Sequence, residues 1–179
     1  MEKEWDIIEV LRHSRHDWLN KLQLIKGNLD LNRIERVKEI IDEIVLESQQ
    51  ESKLSNLKLP LFASLLIRTN WENHRFLLEY EVLQDCGSLQ LDEAILTAWT
   101  ESFFSTLDQS VEPFQENHLS ISIEKVFDGA RFFFDFRGII KSKKLIEQFL
   151  ADSQRHEMKI SVEDCSENEV ALEVFLPNV

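Results

Sequence analysis

The sequence predicts an α+β protein. An N-terminal helical hairpin forms a dimeric four-helix bundle, and a C-terminal α/β sandwich follows. Three observations lead there. Apolar residues recur at helical spacing through the first 57 positions. Leu59-Pro60 then breaks that pattern, because proline cannot continue a helix and restrains its predecessor. Beyond it, short alternating segments interleave with helical ones, the pattern of a sheet covered by helices on one face. The expected domains are residues 1–58, for dimerisation and the site described below, and residues 59–179.

The first helix is expected over residues 4–28. Ile8, Leu11, Trp18, Leu22, Ile25 and Leu29 repeat every three, four or seven positions and share one face. Gly27-Asn28 and Asp30 supply stop and cap chemistry for a tight reversal. The second helix runs from Ile34 to about Leu57, with Val37, Ile40, Ile41, Ile44 and Val45 on its apolar side. Two helices alone cannot cover both stripes, and docking against a second pair is the usual solution. No second long pair follows in the chain, so a homodimer is expected. The alternative is a hairpin packed on its own C-terminal half.

Residues 60–70 read as a short helix, 76–83 as a strand and 92–110 as a helix with Ile95, Trp99, Phe103 and Leu107 on one face. Residues 118–126 alternate as a strand, and 127–130 turn it into a partner at 131–136. Residues 141–150 form a further helix. Residues 159–164 and 170–176 form a last hairpin around Ser166-Glu167-Asn168-Glu169.

Composition bounds what the chain can do. Lys+Arg 20 against Asp+Glu 33 gives a net charge of −13, which argues against nucleic acid and against an anionic membrane surface. No segment reaches the roughly 18 apolar residues of a membrane span, and the charged N-terminus lacks a secretory leader pattern. Two distant cysteines, Cys86 and Cys165, fit free thiols in a reducing compartment. A cytoplasmic location is expected. The four glycines, Gly27, Gly87, Gly129 and Gly138, are scattered, whereas phosphate-cradling loops need clustered ones. This argues against a self-contained nucleotide site.

The chemistry concentrates on His16-Asp17-Trp18-Leu19-Asn20. On a helix, His16 has Arg12, His13, Asn20 and Gln23 as polar neighbours one and two turns away. That places it beside the apolar stripe and in solvent, as a nucleophile meeting a large donor requires. Much of a free imidazole is neutral at pH 7. Asp17 can take the other ring proton or favour the attacking tautomer, and Asn20 can hold the ring. Arg12, Arg15, Lys21 and Lys26 lie within 15 positions, against Asp17 alone. Such a collar stabilises a phosphoryl group in flight and steers an acidic partner. Arg12, His13, Arg15, Leu19, Lys21, Gln23 and Lys26 are the expected partner-contacting residues. A metal site on His13, His16 and Asp17 lacks a further strong ligand, so none is expected. His74, His118 and His156 have no recognisable constellation.

His16 to Asn20 fits the H-[DE]-x-x-[NT] pattern of sensor histidine kinases. The longer run LRHSRHDWLNKLQLIKGNL, with ESKLSNLK at 51–58, LEYEVL at 78–83 and ENHLSIS at 116–122, resembles the sporulation phosphotransferases related to those kinases. The resemblance is densest over the first 60 residues. It implies a phosphorelay phosphotransferase: His16 takes a phosphoryl group from the aspartate of a single-domain response regulator and passes it to a second regulator, a transcription factor. It also implies a dimer whose C-terminal domain looks like a degenerate kinase ATPase domain. The residues agree with the last point. The helix at 92–110 has no asparagine, Asp135-Phe136-Arg137-Gly138 only echoes a D-x-G-x-G motif, and a glycine-rich lid is missing. No cofactor is then expected on this chain, and Mg2+ belongs to the partner regulator. The competing readings are an autophosphorylating kinase with a divergent ATP domain and a non-catalytic dimeric scaffold.

Overall fold

The computed structural model describes residues 5–84, 87–153 and 158–179. Helix α1 spans Ile7–Asp30 and helix α2 spans Ile34–Asn56. Asp6 caps α1, its carboxylate accepting from the amide of Glu9 at 2.8 Å and satisfying one of the orphan donors of the first turn. The expected start at residue 4 lies outside the described residues.

The reversal differs from expectation. Gly27 and Asn28 stay helical, and the Asn28 side chain donates to the Leu24 carbonyl. The left-handed residue is instead Asn32, at φ 56°. Asparagine tolerates that conformation, and the amides of Leu31 and Arg33 close the end on the carbonyls of Gly27 and Asn28. The next helix then starts after a three-residue reversal, and Val37 and Ile40 are its buried positions before residue 51.

The chain divides into two compact units, residues 1–51 and 52–179. Helix α2 crosses that division. Its last turn belongs with the second unit, where Leu54 and Leu57 are fully buried. The Lys53 ammonium donates to the Val82 carbonyl at 3.2 Å, and the Leu89 amide donates to the Leu57 carbonyl at 2.8 Å.

In the second unit, helices α3 (Pro60–Thr69), α4 (Glu93–Ser110) and α5 (Lys143–Asp152) accompany a sheet. The sheet has five strands: β1 (Leu77–Val82), β2 (His118–Val126), β3 (Gly129–Arg137), β4 (Lys159–Cys165) and β5 (Glu169–Pro177). Their order is β1-β2-β3-β5-β4. β1 and β2 are parallel, which a crossover through α4 makes possible; the other pairs are antiparallel. Alternation puts Leu119, Ile121 and Ile123 of β2, Phe132, Phe134 and Phe136 of β3, and Val170, Leu172 and Val174 of β5 into one core. Trp99 stacks on Phe103 with centroids 5.3 Å apart, and the Phe134 ring meets both edge-on, a preferred aromatic geometry.

Two boundaries shift. The β2–β3 turn is only Phe127-Asp128, and Gly129 is already paired with Val126. A Cβ on Gly129 would come within 2.0 Å of the Leu176 carbonyl oxygen, so this glycine serves close strand approach. Helix α5 begins at Lys143 after Ser142 and continues to Asp152, two residues later at each end than expected.

The D-x-G-x-G echo has a structural use. A Cβ on Gly138 would meet Asn117 Oδ1 at 2.2 Å and the Phe136 ring at 2.8 Å. The Asn117 side chain, almost wholly buried, donates to the carbonyls of Arg75 and Glu112 and accepts from the Ile139 amide. Gly138 therefore makes room for a polar knot that joins three loops.

Candidate functional site

Helix α1 presents His16, Asn20 and Gln23 one turn apart. The His16 side chain is 72% exposed. Its Nδ1 lies 3.2 Å from the Asn20 amide nitrogen and 3.6 Å from Asp17 Oδ1. Both polar neighbours thus address the same ring nitrogen, and among the described residues no polar group contacts Nε2.

This arrangement has a chemical consequence. Nε2 can attack only with its lone pair free, which puts the ring proton on Nδ1. Asn20, with its carboxamide turned oxygen-first, accepts that proton's hydrogen bond, and the Asp17 charge favours the same tautomer. In the orientation described here the amide donates to Nδ1 instead. A half-turn about the terminal bond of Asn20 would present its oxygen to Nδ1.

His13 is in a different setting. Its Nε2 is 4.0 Å from Glu9 Oε2, and its ring sits 5.1 Å from the Trp5 ring, centroid to centroid. It is less exposed than His16, and its environment is that of a packed ring.

The four flanking cations also separate. Arg12 pairs with Glu9 within α1. Lys21 pairs across the hairpin with Glu47 of α2, its ammonium 5.8 Å from the Trp18 ring. Arg15 and Lys26 make no ion pair among the described residues, and both are exposed, as are Leu19 and Gln23. Glu47 escaped the sequence reading. Counting back from the reversal at Asn32 puts residues 43–47 opposite the segment after His16, a signal that an antiparallel hairpin carries in its sequence.

The remaining histidines lie in the second unit. His74 Nδ1 is 2.7 Å from Asp108 and Nε2 is 3.3 Å from Glu72, with the ring stacked on Phe76. Burial disfavours its charge, but the two carboxylates, Asp108 foremost, outweigh burial and raise its pKa above 6.5. His118 is exposed at the start of β2, and His156, like Cys86, lies outside the described residues. Among the described residues, no helix is long and apolar enough to cross a membrane.

Comparison with known proteins gives the family. Residues 58–177 match the family model for the C-terminal part of sporulation initiation phosphotransferase B. The chain belongs to that family. Residues 1–57 match a second model, the α-helical domain of SpoOB-type sensor kinases. The sporulation initiation phosphotransferase B of Bacillus subtilis (strain 168) is 46% identical over 119 residues, which is 66% of this chain and 62% of that relative. The aligned stretch is thus less than two thirds of that relative's length. Among solved structures, the catalytic domain of the histidine kinase ThkA matches with a TM-score of 0.44 at 14% identity, covering 70% of this chain and 92% of that one. A bacterial phosphotransferase matches with a TM-score of 0.41 at 11% identity, covering 96% and 98%. The seam between the two family models, at 57/58, lies just beyond the end of α2.

Proposed function

We propose that this protein is a phosphorelay phosphotransferase of sporulation initiation whose carrier is His16. Membership of the family supports the reaction class. The observation that carries the residue is the His16 ring itself: exposed, with Asp17 and Asn20 both at Nδ1 and Nε2 left to solvent.

In the first half-reaction, Nε2 attacks the phosphorus of an aspartyl phosphate on a response regulator. A P–N bond forms, the P–O bond to the acyl oxygen breaks, and the aspartate leaves as a carboxylate with the bonding pair. The product ring carries the phosphoryl group on Nε2 and a proton on Nδ1, so it is cationic. Asp17 stabilises that charge, and Asn20 fixes the plane of the ring. The second half-reaction reverses these steps toward the aspartate of a second regulator, a transcription factor. Acyl phosphate and phosphohistidine are both high in transfer potential, so the protein's task is mostly alignment. The divalent cation, Mg2+, sits with the regulator's carboxylates, and this chain supplies no cofactor.

The same reading has the protein work as a cytoplasmic homodimer. Ile8, Leu11, Trp18, Leu22 and Leu29 of α1, with Ile41 and Val45 of α2, are each 44–62% exposed. A second hairpin would cover them as a four-helix bundle, each copy carrying its own His16.

The test is transfer from a receiver domain labelled on its aspartate. Label moves to wild-type protein and then to a second receiver. His16→Gln takes up none while still sedimenting as wild type. Normal transfer by His16→Gln would overturn the assignment, and label arriving from ATP with no receiver present would replace it with an autokinase.

A further inference from the structure

We infer that Glu47 on helix α2 sets the affinity for the regulator by holding Lys21 back from it. The inference rests on the phosphotransfer reading for its partner, and on the ion pairs of the hairpin for its content.

A collar of four cations suits a partner whose active face is a ring of carboxylates. Two members of that collar are nevertheless neutralised within the hairpin. Arg12 is held by Glu9, a neighbour on its own helix. Lys21 is held by a residue 26 positions away, on the opposite helix. The side chains of Lys21 and Glu47 are 33% and 56% exposed, so a partner's carboxylate can reach the pair from solvent. Nearby, Glu43 is already committed to Arg36 within α2, at 3.2 Å. Glu47 is thus an α2 carboxylate that lowers the charge presented beside His16.

A docking partner has two routes. It can leave the Lys21–Glu47 pair intact and use Arg15 and Lys26, the collar cations without ion pairs among the described residues. It can instead take Lys21 by displacing Glu47, at the cost of one exposed ion pair. Two regulators with different acidic rims would feel this cost differently, so a residue distant in sequence from the histidine biases the choice between them. Glu47 acts through Lys21 and is a positioning residue.

The experiment measures transfer kinetics and direct calorimetric binding with the same receiver domain, for Glu47→Gln, Lys21→Met and the double variant. Freeing Lys21 in Glu47→Gln lowers KM and Kd by about two- to fivefold at low salt, with kcat little changed and a steeper salt dependence. In the Lys21→Met background the same Glu47→Gln change leaves KM and Kd where they are. An unchanged or raised KM and Kd in Glu47→Gln overturns the inference. So does an equal decrease in the Lys21→Met background, which would mark a general charge effect. If wild-type protein takes no label, the phosphotransfer reading falls. The calorimetric arm then still decides whether Glu47 controls receiver binding through Lys21. Thermal melting separates a hairpin staple, which would shift stability without moving affinity.

Discussion

The hairpin and the sheet unit handle apolar surface in opposite ways. In the sheet unit, Phe132, Phe134 and Phe136 of one strand, Trp99 and Phe103 of α4, and Val170, Leu172 and Val174 of β5 close over one another, and almost none of their surface reaches solvent. Helix α1, at 24 residues, buries none of its side chains in the described chain, although its apolar face is just as regular. The first unit leaves an apolar face exposed, whereas the second closes over its own. The polar chemistry follows the same division. His16 is exposed on the first unit, with polar contacts only from its own helix, whereas His74 and Asn117 are tied into the second.

The contrast can be broken most forcefully at Phe134. Its truncation to Ala should cost about 3–5 kcal/mol, read as a lowered denaturant midpoint with unchanged slope, because a filled core cannot collapse around so large a cavity. The matching change on the hairpin, Leu22→Asp, should leave the sheet unit's melting alone and drive the protein to monomer in sedimentation. The lost burial of two leucines, one per protomer, about 3–6 kcal/mol in all, corresponds to roughly a hundredfold to ten-thousandfold weaker association. A wild type that is already monomeric at micromolar concentration would end the idea that a second copy completes the hairpin.

Gly138→Ala tests the sheet unit more finely. The new methyl must push aside Asn117 or Phe136, with an expected loss of about 1–3 kcal/mol in equilibrium unfolding. Only a small loss is expected from His74. Burial works against its charged form, but Asp108 and Glu72 prevail, so the folded pKa lies above the unfolded one. Its stabilising contribution is then complete below about pH 6.5 and fades as pH rises through the raised folded value. Stability compared between wild type and His74→Gln should differ in acid and converge in mild alkali; a constant difference would mean that the ring matters by packing alone.

The elements with strong period were legible from residues alone: both long helices, α4, and the β2–β3 and β4–β5 hairpins. Boundaries were less so, and the reasons are local. Gly27-Asn28 reads as a stop, yet a glycine in a helix costs only about 1 kcal/mol and the chain reverses where Asn32 can turn left-handed. Asp128-Gly129 reads as turn chemistry, yet Gly129 is required as a strand residue because β5 passes too close for any Cβ. At the candidate site, the spacing of His16 to Asn20 already placed the polar neighbours on one helix face. What spacing could not supply was which ring nitrogen they address, or that Lys21 spends its charge on the other helix. Those depend on rotamers and on helix pairing, and no pattern along a single helix contains them.

The passage of α2 from one unit into the other gives the seam an asymmetry. The two family regions meet at 57/58, but Leu54 and Leu57, which belong to the core of the sheet unit, lie on the hairpin's side of that line. A fragment beginning at residue 58 would lose both, whereas one beginning at residue 52 would keep them. Shuffling the hairpin between relatives at the obvious joint would therefore import a foreign piece of the neighbouring core.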